Sequence, residues 1–348
     1  MTDIYNLTYD KLVSFLTANG EKKSKADMIF PAIYGKRVKE FSNIGLKNNL
    51  TELLDNNFYF GKIECIEKRE SESADKYLFR LSDGNLIESV LMKHEYGNNI
   101  CVSTQVGCNM GCAFCRSGRL KKVRNLETAE MIEQLIYVSE ESGRKISGIA
   151  IMGIGEPLDN YDNVIKFLHL VNLPDGVNIG YRHISLSTCG VVPKIYELAK
   201  LNLPITLSIS LHATDDSIRS EIMPVNKAWG VSELLDACRD YYKTTERRMS
   251  FEYTLIAGKN DTKQNALHLA NTLNAKLRSR TETMPIHVNL IPVNEVTEAG
   301  FKSSDRDAVK RFAAVLESRG IRATVRRTLG SDINASCGQL RREDAEES

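Results

Sequence analysis

Cys108-Asn-Met-Gly-Cys112-Ala-Phe-Cys115 places three cysteines at C-x3-C-x2-C spacing on one short loop. A thiolate loop this compact suits something small and soft. Iron–sulfur clusters are held by cysteine thiolates, usually four. Three ligands hold three irons of a [4Fe–4S] cube and leave the fourth iron open. An open position is what separates a catalytic metal site from a structural one. Other readings stand beside this one. A structural zinc needs four ligands, and Cys101, seven residues upstream, is the only local fourth candidate. A plant-type ferredoxin run is C-x4-C-x2-C with a distant fourth cysteine, one residue longer than this spacing. Plain core cysteines account poorly for three in eight residues.

Outward from the loop, strand and helix patterns alternate from residue 99 onward. The strands read as Ile100–Val106, Ile146–Met152, His183–Thr188, Ile205–Leu211, Ser250–Leu255, His287–Ile291 and Arg322–Arg326. Helical periodicity falls near Thr128–Ser142, Tyr161–Val171, Val192–Leu201, Val231–Lys243, Lys263–Lys276 and Ser304–Arg319. This alternation predicts an α/β fold with a parallel sheet. Six strand–helix units are fewer than the eight of a closed barrel, so the expectation is a partial (βα)6 barrel. Ligands in such sheets bind at the C-terminal strand ends, where the cysteine loop falls. Residues 1–56 read as a helical domain and a candidate RNA-docking module, carrying Lys22, Lys23, Lys25, Lys36, Arg37 and Lys39. A solvated helical face is the plainer account of those charges. Residues 57–98 read as a β-hairpin region built on Tyr77–Leu81, the turn Ser82-Asp-Gly84, and Leu86–Met92. Residues 99–330 form the barrel core and 331–348 a tail.

The chain has 348 residues, 42% hydrophobic and 26% charged, an ordinary globular composition. No run of about 18 apolar residues marks a membrane span, and Met-Thr-Asp-Ile-Tyr-Asn is no signal-peptide start. The expectation is a cytoplasmic protein, in which eight cysteines are not a disulfide framework. A net charge of +1 announces no nucleic-acid partner, so any RNA binding rests on local patches.

Polar residues end the strands. Met152-Gly-Ile-Gly155-Glu156-Pro157 closes the second, Leu186-Ser187-Thr188-Cys189-Gly190 the third, Ser208-Ile-Ser210-Leu211-His212 the fourth, and Asn289-Leu-Ile-Pro-Val-Asn294 the sixth. Any one is a cap or a turn. Four beside a cysteine loop point to a shared cavity, with Ser210, His212 and Asn294 as candidates for a zwitterionic ligand. Glu88 lies inside an apolar strand, either on its exposed face or buried with a partner. Cys65 and Cys238 read as buried small hydrophobes. Cys337 sits in Asn334-Ala-Ser-Cys337-Gly-Gln-Leu340, incidental or a mobile nucleophile. Arg116, Arg119, Lys121, Lys122 and Arg124 cluster after the loop, and Arg326, Arg327, Arg341 and Arg342 around the tail. Both clusters read as phosphate contacts, with a solvated charge run as the alternative.

Together these residues resemble the RlmN/Cfr family of radical S-adenosylmethionine (SAM) RNA methyltransferases. The resemblance runs from the Tyr77–Met92 hairpin through Cys101-Val-Ser-Thr-Gln-Val-Gly-Cys108 to Ser336-Cys337-Gly-Gln-Leu340. The three-cysteine motif alone marks only the superfamily. Cys101 and the tail Cys-Gly-Gln-Leu are specific to this family.

The resemblance implies roles. Cys108, Cys112 and Cys115 match the ligands of a [4Fe–4S] cluster whose open iron chelates SAM. Gly155, Glu156, Ser187, Ser210, Leu211, His212 and Asn294 match SAM-contacting positions. Cys337 matches a cysteine that carries the methyl group, Cys101 the second essential cysteine, and Glu88 a proton acceptor. Amidine carbons of adenine do not attack a methyl sulfonium. The implied route uses two SAM per turnover, one methylating Cys337 and one cleaved to a 5′-deoxyadenosyl radical that activates that methyl. A covalent RNA adduct is then resolved by a Cys101–Cys337 disulfide. The implied substrate is a peptidyl-transferase-centre adenine of 23S rRNA at C2, with some tRNA, and the electron donor a flavodoxin or ferredoxin; a monomer is expected. Gly155-Glu-Pro157 and Val325–Asp332 look more like RlmN than Cfr, whose C8 methylation is the alternative. An RNA-binding protein with a structural cluster is a third reading. Arg116, Cys189 and Ser336 depart from the common pattern, and Arg116 bears on the cluster's potential.

Overall fold

The computed structural model describes all residues except 96, 280–283, 294–299, 327–329, 337 and 341–348. Three helices open the chain: α1 (Tyr9–Ala18), α2 (Ala26–Tyr34) and α3 (Asn48–Asn57). Thr8 caps α1 by accepting from Lys11 N, as an N-cap threonine should. The apolar residues Leu12, Leu16, Ile29, Phe30, Ile33, Leu50 and Leu54 join one buried cluster that continues into the rest of the protein. Thr2–Asp3 pairs in parallel with Phe58–Tyr59, tying the first residues to the end of α3.

Among the described residues, ten strands form the main sheet, in the order in which the chain makes them. They are β1 (Glu64–Glu70), β2 (Ala74–Arg80), β3 (Leu86–His94), β4 (Gly97–Cys101), β5 (Ile146–Ile151), β6 (Ile184–Thr188), β7 (Thr206–Ser210), β8 (Met249–Leu255), β9 (His287–Pro292) and β10 (Arg322–Val325). β1 to β4 are antiparallel. β4 to β10 are parallel. Helices fill the crossovers: α4 (Thr128–Ser142), α5 (Tyr161–Asn172), α6 (Val192–Lys200), α7 (Asp216–Ile222), α8 (Val231–Thr245), α9 (Lys263–Leu277) and α10 (Arg306–Ser318). This is the expected α/β partial barrel of six strand–helix units and a closing strand. Its first strand differs from expectation. β4 ends at Cys101, and Gln105–Val106 pairs instead with Arg124–Asn125. Cys101 therefore stands on the C-terminal rim.

The parallel strands alternate because their two faces meet different surroundings. Leu186, Leu207, Ile209, Phe251, Val288 and Leu290 enter the apolar core. The other face is hydroxylic and charged. Ser208 Oγ lies 3.4 Å from Ser185 Oγ and 2.9 Å from Ser250 Oγ. Ser250 Oγ donates to Glu252 Oε1 at 2.8 Å, and Asn289 Nδ2 donates to the same oxygen at 3.0 Å. Thr324 Oγ1 donates to Asn289 Oδ1 at 2.5 Å. A parallel sheet buried on both apolar faces reads as continuous hydrophobic runs. This one encloses a polar interior.

After β10 the chain crosses to the other end of the sheet. Gly330 N donates to Ser73 Oγ at 3.3 Å. Ile333, Ala335 and Leu340 pack with Ala74, Val90, Met92 and Cys101.

Candidate active site

The cysteine loop is pinned by its backbone. Cys108 N donates to Leu120 O at 2.9 Å, and Ala113 N to Ile222 O, the last residue of α7, at 2.9 Å. A Cβ on Gly118 would lie 2.8 Å from Cys112 N, so this neighbour must lack one. Cys108, Cys112 and Cys115 line one open cavity of about 1020 Å³, together with Gly155, Glu156, Ser187, Ser210 and His212. Burial pushes the Cys108 thiol up to about 12 and the Cys112 thiol well above its ordinary value. Thiols so costly to ionise become thiolates when a metal replaces the proton. Among the described residues, no three His, Cys, Asp or Glu side chains sit close enough to hold a single metal ion. A cube asks for one thiolate per iron, and three thiols on one cavity wall fit it.

The strand ends form the facing wall. Gly155 has φ +107°, and a Cβ there would meet Gln105 Cβ at 2.6 Å; only glycine turns the chain here. Glu156 is buried. Leu158 N donates to its Oε1 at 3.0 Å and Cys189 N to its Oε2 at 2.8 Å. The Thr188 hydroxyl and Cys189 thiol add further bonds, opposing the burial that raises this carboxyl above its usual range. Its oxygens thus join two strand ends. Ser187 Oγ and Ser210 Oγ stand 3.4 Å apart. His212 is buried with φ +56°. Thr254 N donates to its Nδ1 at 2.9 Å, which leaves the proton on Nε2 as a donor. Burial first, and Arg219 second, push its pKa down to about 3, so the ring is neutral. Leu211 is placed differently from its neighbours. Its side chain is in the core, its N–H donates to Glu252 O at 3.1 Å, and its carbonyl accepts from Arg219 Nε at 3.0 Å.

A smaller cavity adjoins. Cys115, Met152, Gly153, Arg326 and Gly338 line both. Its own wall adds Cys101, Val90, Ser336 and Leu340. Arg116 N donates to Gly338 O at 2.9 Å, and Ser117 Oγ to Leu340 O at 2.6 Å. The tail is thereby fastened to the cysteine loop. Glu88 lines neither cavity. It is fully buried, and Lys76 Nζ donates to its Oε1 at 2.8 Å. Strand register puts Lys76 and Cys101 both opposite Val90, so the pair shares Cys101's face of the sheet. Asn294 and Cys337 lie outside the described residues, as do Arg327, Arg341 and Arg342.

The basic cluster after the loop is partly consumed internally. Arg124 bridges Asp83 at 2.6 Å and Glu130 at 2.7 Å, and Lys122 bridges Asp159 at 2.7 Å. Two residues escaped notice in the sequence. Glu252 lines the cavity nearly buried, and its Oε2 has no hydrogen-bond partner. Arg219 is wholly buried beneath the strand ends. A lone Glu in a strand and a lone Arg in a short helix carry no spacing signal; their positions are tertiary facts.

Residues 102–270 match the radical SAM superfamily. A relative from Clostridium botulinum (strain Eklund 17B), called a probable dual-specificity RNA methyltransferase RlmN, is 48% identical over 98% of this chain and 97% of its own length. The chain belongs to the RlmN family. A second RlmN relative, from a Thermoanaerobacter species (strain X514), is 47% identical over 98% of both chains. A crystal structure of a radical SAM methyltransferase from Sphaerobacter thermophilus superposes with a TM-score of 0.90 at 37% identity, over 98% of this chain and 99% of that one. RlmN membership makes the chain a radical SAM methyltransferase, and the family implies a [4Fe–4S] cluster and SAM.

Proposed function

We propose that the chain methylates C2 of an adenine in 23S rRNA, at the peptidyl-transferase centre, and also adenine in tRNA. The observation that carries this reading is the small cavity where Cys101 meets Ser336 and Gly338, the two neighbours of Cys337, beside Cys115 of the cysteine loop. A methyl-carrying thiol and a resolving thiol both have to reach the place where hydrogen is abstracted.

Cys108, Cys112 and Cys115 hold the cluster in this reading. Gly155, Glu156, Ser187, Ser210, Leu211, His212 and Asn294 surround SAM, Glu156 and Leu211 by fixing the strand ends and His212 by donating from Nε2. When bound, cluster and SAM supply a reducing electron and a hydrogen-abstracting radical. Two SAM are consumed per turnover, because one first methylates Cys337. The methyl carbon on Cys337 then joins C2 of adenine. The adduct gives back one electron, and Cys101 takes the ring proton with Glu88 as its acceptor. The Cys101 thiolate then attacks the Cys337 sulfur, closing a disulfide and breaking that sulfur's bond to the methylene carbon, which takes a proton and leaves as the product's methyl group. That disulfide has to be reduced before the next turnover, which suits a cytoplasmic monomer served by a flavodoxin or ferredoxin. Residues 1–56 serve as the RNA-docking module, with Lys22, Lys23 and Lys36 exposed.

Mass spectrometry of adenine nucleosides from RNA treated with the reconstituted enzyme tests this. The expected product is 2-methyladenosine. An 8-methyl product would assign Cfr-type chemistry, and no methylated adenine would end the methyltransferase reading. Cys337→Ala is expected to abolish methylation while the cluster's visible absorbance stays; loss of that absorbance would make Cys337 a ligand instead.

A further inference from the structure

Arg219 lies in the middle of α7, fully buried. Its Nε donates to Leu211 O at 3.0 Å. Its Nη1 donates to Asn226 Oδ1 at 2.9 Å. Its Nη2 donates to Cys189 O at 2.8 Å and Ser210 O at 3.1 Å. Every one of these acceptors is a neutral oxygen. Of the two carboxylates on the same helix, Glu221 pairs with Lys259 and Asp216 spends its Oδ1 on Asn226 Nδ2 and Val231 N, both at 2.9 Å. A cation bonded only to neutral oxygens is costly to bury, and Asp216, linked to it through Asn226, is a partial counter-charge. A further anion close by lowers that cost.

The geometry says where the anion comes from. One turn beyond Arg219, Ile222 O accepts from Ala113 N of the cysteine loop. Ile222 and Met223 pack in one apolar cluster with Cys112, Phe114 and Cys189. α7 is thus a bracket. One end holds the cysteine loop, and its guanidinium holds the ends of β6 and β7, where Ser187 and Ser210 face the cavity.

We propose that Arg219 is the internal counter-cation of the cluster, a positioning residue that raises the cluster's reduction potential while fixing the SAM-facing strand ends. This rests on the reading of Cys108, Cys112 and Cys115 as cluster ligands. A dicationic cube with three thiolates carries one net negative charge, and reduction adds a second. A nearby buried cation favours the reduced form, and net charge is one of the quantities that set such potentials. Arginine suits the task because its planar fork engages several carbonyls at once and does not lose its proton.

The test is a redox titration, followed by electron paramagnetic resonance, of the reconstituted wild type, Arg219→Lys and Arg219→Gln, with iron and sulfide counted in each. The expected result is a potential shifted to more negative values in Arg219→Gln and one close to wild type in Arg219→Lys, which keeps the charge and loses the fork. A purely structural role moves neither potential. A cluster-loaded Gln variant titrating with the wild type overturns the proposal, as does a Lys variant that falls as far as Gln. Where Arg219→Gln takes up no cluster, Arg219→Met replaces it as the neutral variant and is read in the same way. Wild-type protein that binds no iron and sulfide at all sinks the cysteine assignment instead, a distinct outcome.

Discussion

Lys76 and Glu88 face each other across β2 and β3 with side-chain exposures of 3% and 0%. Removing one partner of a buried pair costs about 3–5 kcal/mol. Lys76→Met should therefore destabilise the fold by that amount in chemical denaturation, and Lys76→Met/Glu88→Leu should recover much of it. Equal stability of the single variant and the wild type would show that the pair is not closed in solution. Glu252 is held more loosely: its ion-pair partner Arg326 Nη1 stands 4.0 Å away, and its buried Oε2 accepts no hydrogen bond. A ligand hydroxyl or amine in the cavity satisfies it, so Glu252→Gln should weaken SAM binding roughly tenfold, about 1.4 kcal/mol, in calorimetry of the cluster-loaded protein. Unchanged affinity would mean that SAM leaves this oxygen alone. His212 contributes a pH dependence. Its folded pKa is near 3 against an ordinary 6.5, so between those values the unfolded chain binds the extra proton. Stability from this group is full above about pH 6.5 and falls as pH drops towards 3. In the sequence, Glu88 allowed an exposed or a buried reading, because a strand pattern does not say what covers its second face. Burial against Lys76 resolves it.

At the scale of elements, the first of the seven parallel strands is shifted, ending at Cys101; the six long helices and the other six parallel strands are readable because each is one strong period. α7 is not, although Asp215 accepts from Ser217 N and Ile218 N as an N-cap. Seven residues are too few for helical periodicity to show. β1 was also missed. Its residues Glu64, Glu67, Lys68, Arg69 and Glu70 suit an edge that must refuse other strands, and that hides the apolar alternation. The polar residues at strand ends were legible as a cavity, yet their division of labour was not, since hydrogen bonds such as Cys189 N to Glu156 join positions 33 residues apart. Where the N-terminal residues meet α4, Glu133 packs beside Asp3. Burial first, and the Asp3 charge second, push Glu133 up to about 9. A folded pKa above the unfolded one gives stability that is full below about pH 4.5 and is lost as pH rises towards 9. Glu133→Gln should remove this loss, so the variant should gain on the wild type in melting temperature between pH 7 and 9. Parallel pH profiles would place the proton elsewhere.

For the molecule as a whole, the strand–helix count indicated an unclosed barrel but could not show what stands in the gap. The closing piece is the tail, whose packing partners Ala74 and Val90 lie more than 200 residues earlier. No local pattern encodes so distant a contact. Leu340 is 5% exposed among them, and truncating a buried leucine costs about 2–5 kcal/mol. Leu340→Ala should hasten proteolytic cutting after residue 330 and leave the remaining core resistant. Unaltered cleavage would mean that other contacts hold the tail.

The sheet's order has a bearing on how the protein is made. Each strand pairs with the one before it, so every new strand finds its neighbour already in place as the chain is synthesised, and domains generally fold as they emerge. The tail reverses that logic. Residues 330–340 follow all ten strands and return to β2 and β3, among the first to form. A nascent chain can hold a nearly finished sheet and a preformed cysteine loop while its second cavity still lacks a wall. The wall of the second cavity is therefore the last part of the site to be made.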